Sequence, residues 1–155
     1  MENISTHITY LEATKSDTAI RNGVKNDPNP EQLERMKFLA KEVFEPVRAH
    51  YGGKPIKVSS FFRGDALNKL VGGSKTSQHC NGEAMDIDND GRSPSNKEIF
   101  DYIKDNLEFD QLIWEAGDKT RPDWVHVSRK KTGNRKQVLR MTYKNGQSAY
   151  EKYVA

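Results

Sequence analysis

A chain of 155 residues has the length of one domain with a real hydrophobic core, and is short for two. Its 25 basic and 22 acidic side chains nearly cancel to a formal charge of +3, so no polyanionic partner such as nucleic acid is indicated. No run of about 18 apolar residues crosses a membrane, the first residues carry no basic-apolar leader, and the single cysteine, Cys80, excludes an internal disulfide.

In chain order, roughly residues 8 to 25 predict a short helix. Ser16 is its N-cap, Asp17 lies near its positive end, and Gly23 ends it. Asn26-Asp27-Pro28-Asn29-Pro30 predicts a turn. From Glu31 to His50, Leu33, Met36, Leu39, Ala40, Val43, Phe44 and Val47 recur at threes and fours, the pattern of an amphipathic helix. Pro46 falls late in it and marks a kink or an end.

Pro55 to Phe62 predicts a strand, Asp65 to Val71 a helix stopped by Gly72-Gly73, and Glu83 to Asp88 a second strand. Asn89-Asp90-Gly91 turns the chain, and Ser95 caps a helix carrying Ile99, Phe100, Ile103 and Leu107. Phe109–Trp114, Trp124–Ser128 and Gln137–Tyr143 are the last predicted strands. No repeat or linker divides the chain. The order predicts a single α+β domain over residues 1–155, a small mostly antiparallel sheet flanked by helices.

Strand alternation places Ala84, Asp86 and Asp88 on one face and Met85 and Ile87 on the other. Likewise Val125 and Val127 face the core, leaving Trp124, His126 and Ser128 opposite. If the two strands are neighbours, Asp86 and His126 meet on a shared surface and His79 completes the site from the preceding loop. Two imidazoles and a carboxylate form a ligand set that a catalytic zinc takes, with one position left for water. A base must collect the proton, and Asp123 is the candidate. Positions three apart in an ideal strand point to opposite faces, so the chain around Pro122 has to bend for Asp123 to reach the metal.

Singly, these residues have plainer readings: a structural histidine, a solvated carboxylate. As an ordered set, Ser77-Gln78-His79-x-x-Gly82-x-Ala84-x-Asp86-Ile87 followed by Asp123-Trp124-Val125-His126 resembles the zinc D-Ala-D-Ala carboxypeptidase and endopeptidase family of hedgehog-like fold, which includes phage L-alanyl-D-glutamate endolysins. The similarity extends upstream through Ser59-Ser60-Phe61-Phe62-Arg63, Leu67-Asn68 and Val71-Gly72-Gly73. It implies His79, Asp86 and His126 as zinc ligands and Asp123 as the catalytic carboxylate, an aspartate where many members have glutamate. Arg63 matches an arginine tied to substrate binding and oxyanion stabilisation, and Ser77 and Gln78 match substrate-side positions. The implied activity is hydrolysis of amide bonds in peptidoglycan peptides, by a monomer acting at the cell wall. The alternative is a zinc-bound module of the same fold that binds peptidoglycan or protein without cutting it.

Asp86-Ile87-Asp88-Asn89-Asp90-Gly91 imitates the start of a calcium loop, but Lys97 stands at its twelfth position, and an acidic turn is the simpler account. Arg129-Lys130-Lys131 and Arg135-Lys136 read as a solvated basic rim, with attraction to an anionic polymer the alternative. Cys80 is an incidental neighbour of His79. Trp114 and Glu115 are candidates to line a cleft, with a core tryptophan the simpler account.

Overall fold

The computed structural model describes residues 2–155. Helices α1 (Tyr10–Thr14) and α2 (Asp17–Arg21) replace the single predicted helix, and Ser16 caps the second, its side chain accepting from the Ala19 N–H. The long amphipathic helix starts as α3 (Pro30–Leu39), where Asn29 and Gln32 form a reciprocal capping box and Pro30 occupies the first turn. It does not stop before Pro46. A π-helical turn, Ala40–Phe44, absorbs the missing N–H of that proline, and α4 (Glu45–His50) continues the axis.

Strand β1 is only Val58–Ser60, helix α5 spans Asp65–Leu70, and β2 spans Ala84–Ile87. Helix α6 (Asn96–Asn106) begins at a Ser95–Glu98 capping box. Then follow β3 (Gln111–Glu115), β4 (Trp124–Ser128), β5 (Gln137–Lys144) and β6 (Gln147–Lys152). Strand β6 lies beyond the last predicted strand. Asn145 (φ 53°) and Gly146 (φ 76°) form the two-residue turn that returns the chain, a conformation asparagine and glycine accept at least cost.

The six strands form one sheet in the order β1-β2-β4-β3-β5-β6. Every pairing is antiparallel except β3 with β5. This is the α+β fold, with its mostly antiparallel sheet, that the element order predicts. One face carries Met85, Ile87, Leu112, Trp114, Val125 and Val127 into a core shared with Met36, Leu39, Val43, Phe44, Ile99, Phe100 and Ile103 of the helices. The other face has only a small apolar cluster, Ile113, Ala116 and Met141, with Trp124 and Leu139 against it. That face is open and carries the polar residues.

Candidate active site

Strands β2 and β4 are neighbours, and their register sets Asp86 directly opposite His126. Their side chains meet on the open face, with His126 Nδ1 3.1 Å from Asp86 Oδ1. His79 enters from the edge on a 3₁₀ turn, Gln78–Asn81, whose first N–H groups are tied to Ser77: its hydroxyl accepts from the His79 N–H and its carbonyl from that of Cys80. Gly82 ends this turn at φ 78°, and a Cβ there would stand 2.6 Å from the Gln32 carbonyl oxygen of α3. Only glycine lets the turn dock on that helix between the two histidine-motif ligands.

His79 Nε2 lies 3.3 Å from Asp86 Oδ2, and one ligand atom from each of His79, Asp86 and His126 lies within 4.8 Å of the others. His79 Nδ1 is 2.8 Å from the Phe61 carbonyl oxygen, which can only accept. Nδ1 therefore carries a proton, which leaves Nε2, the nitrogen nearest Asp86, as the one a metal would use. Burial alone would raise the Asp86 carboxyl, but His79 beside it and the hydrogen bond from His126 outweigh that and hold it well below the usual carboxylate range. Burial pushes the His126 imidazole down, which favours its neutral, ligating form. A carboxylate oxygen between two imidazole nitrogens is a donor set that fits zinc.

These three residues line one wall of a cavity of about 610 Å³ on the open face. Arg63, Ser77 and Gln78 line it too. The Nε of Arg63 is buried and has no hydrogen-bond partner among the described residues. Gln78 donates from Nε2 to Asp110 Oδ2 at 2.8 Å, leaving its buried Oε1 equally unpartnered. The amide orientation is forced, because Asp110 accepts only. Its side chain is fully buried, and hydrogen bonds from Arg135, through Nε at 3.0 Å and Nη2 at 2.8 Å, hold its carboxyl well below the usual range. Two buried polar atoms thus await partners of opposite kind, a donor on Arg63 and an acceptor on Gln78.

Asp123 is the member of the predicted set that lies apart. Its N–H donates to the Glu115 carbonyl at 2.9 Å and its own carbonyl accepts from Asn96 Nδ2 at 3.1 Å, which fixes the backbone on both sides. Its side chain is exposed and does not line the cavity. The carboxylate that does line it is Glu115, the last residue of β3 and 6% exposed. Burial first, and then the charge of Asp86, push its carboxyl up to about 8. Trp114, its neighbour in sequence, points into the core against Phe100. The strand alternation of Gln111, Ile113 and Glu115 against Leu112 and Trp114 is the signal that separates the pair.

The hairpin β5–β6 closes the far side of the cavity with Met141, Tyr143 and Tyr150. Residues 6–128 match a family model described as Peptidase M15. No curated protein matches the chain. The matched stretch ends with β4, so the hairpin wall lies outside it.

Proposed function

The chain belongs to the M15 peptidase family, and on that premise we propose that it is a zinc metallopeptidase hydrolysing amide bonds in bacterial cell-wall peptides. The observation that carries this reading is the convergence of His79 Nε2, the Asp86 carboxylate and His126 Nδ1 on one cavity wall. A zinc ion held by these three residues would act as a Lewis acid and lower the pKa of a bound water to roughly 7. The protein's own groups then position the substrate. Arg63 lines the cavity and offers its positive charge to the scissile carbonyl oxygen, where negative charge grows during attack. Gln78, its amide oriented by Asp110, lines the same wall beside the peptide. The hairpin tyrosines give the remaining surface on which a peptide lies.

Incubating zinc-loaded protein with purified peptidoglycan, with mass spectrometry of the soluble products, tests this reading. New free amino and carboxyl ends are expected, absent after chelation and restored by zinc. Stoichiometric zinc with intact peptidoglycan would instead establish the non-cleaving module. Which ends appear identifies the bond and separates carboxypeptidase from endopeptidase action.

A further inference from the structure

The cavity holds a second buried carboxylate that the metal set does not use. Cross-strand register puts it in a definite place. One row across the open face reads Asp86, His126, Ile113, Leu139, and the next row reads Trp124, Glu115, Met141, Tyr150. Glu115 is therefore a diagonal neighbour of His126, a separation that same-face side chains span at roughly 7–8 Å between backbones. Trp124 and Met141 flank it in its own row and keep water off its sides. Its carboxylate has no hydrogen bond or ion pair among the described residues, although the residue is 6% exposed. The charged and titratable groups lining the same cavity are Asp86, His126, His79, Arg63, Tyr143 and Tyr150. None of them is paired with Glu115.

We propose that Glu115, not Asp123, is the catalytic residue that takes the proton from the attacking water and returns it to the leaving amine. The proposal rests on the peptidase reading above. As the water oxygen bonds to the scissile carbon, its O–H breaks and the proton passes to a Glu115 carboxylate oxygen. When the carbon–nitrogen bond breaks, the same proton goes to the amine nitrogen, so one water is consumed and Glu115 returns to its ionised form, which the charge of a bound zinc ion would favour over the protonated form that burial alone favours. A dry site suits such a shuttle, because a carboxylate there holds a proton more readily than one in water. Asp123 has neither the placement nor the burial for this role.

The test compares zinc-loaded wild type, Glu115→Gln, Glu115→Asp and Asp123→Asn as full chains. It measures metal content, peptidoglycan hydrolysis and the pH dependence of the visible spectrum of the cobalt(II)-substituted forms. Glu115→Gln is expected to keep one metal per chain and lose hydrolysis by about 10²–10⁴-fold. Glu115→Asp should recover part of the rate, and Asp123→Asn should stay within a few-fold of wild type. The spectral midpoint should move in Glu115→Gln and stay in Asp123→Asn. Hydrolysis retained by metal-loaded Glu115→Gln but lost in Asp123→Asn would overturn the proposal. A wild type that cuts nothing sinks the peptidase reading, and the spectra still decide the placement: a midpoint moved by Glu115→Gln supports Glu115 against the metal's open position, and an unmoved one refutes it.

Discussion

Gln78 acquires its orientation from a carboxylate on the far side of its own amide. Asp110 accepts its Nε2–H, Arg135 keeps Asp110 ionised, and the acceptor oxygen is left buried without a partner among the described residues. Asp110→Asn removes both the charge and the compulsion, so the Gln78 amide is free to turn. Raised KM with little change in zinc content is the expected result, read by steady-state kinetics. On the proposed reading Arg63 meets the oxygen where charge develops, and Arg63→Ala should lower kcat by about 10²–10³-fold, the usual cost of one such donor, with zinc retained. Glu115 has a stability consequence of its own. Its folded-state carboxyl lies near 8, above its ordinary value, so its contribution is fully present at low pH and is lost as pH rises through about 8. Thermal melts of metal-free Glu115→Gln should therefore exceed wild type above neutral pH and converge with it near pH 4.

Among the elements, the 3₁₀ turn depends on one contact with α3. Gly82→Ala sets a methyl 2.6 Å from the Gln32 carbonyl at a positive φ, which costs about 1–3 kcal/mol in strain alone. A lower denaturation midpoint and weakened metal binding should appear together, since the displaced turn carries His79. The β5–β6 hairpin has the opposite character. Replacing Tyr143 and Tyr150 with alanine should change substrate preference and KM while leaving metal affinity intact, as shown by competition with a chelating dye. Much of the element level was legible: the Ser16, Ser95 and Glu31–His50 signals all correspond to real starts and faces. Pro46 misled in one respect, because a proline ends a helix only when no wider turn can take up its missing donor. The Asn145-Gly146 pair is a hairpin signal in plain view, and it yields the sixth strand once the polar segment after it is allowed to pair.

For the whole molecule, acid and alkali act on different carboxylates. Asp110 and Asp86 have depressed folded-state values, so their stabilisation is present above their ordinary pKa of about 4 and is lost as pH falls below it. Glu115 loses ground on the other side. Metal-free protein should be most stable near pH 5, as a series of urea titrations would show, and zinc should flatten the alkaline side. The site itself was partly written in the sequence. Alternation alone brings Asp86 and His126 to one face, since side-chain direction is local to a strand. Whether Asp123 or Glu115 reaches them depends on the register of β3 against β4, a pairing between segments that carry no mark of each other in the chain. Gln78 and Asp110 are likewise 32 residues apart and meet only through the fold.

The parallel pairing of β5 with β3 has one more result. The stretch matched by the family ends at Ser128, leaving β3 as the outer strand of a four-stranded sheet, and the hairpin is what occupies its free side. A chain cut after Arg129 would offer the N–H and C=O groups of Gln111–Glu115 to any other extended segment, as unpaired edges do. The hairpin is in this sense a guard against self-association as much as a cavity wall, and its loss would be seen first as aggregation.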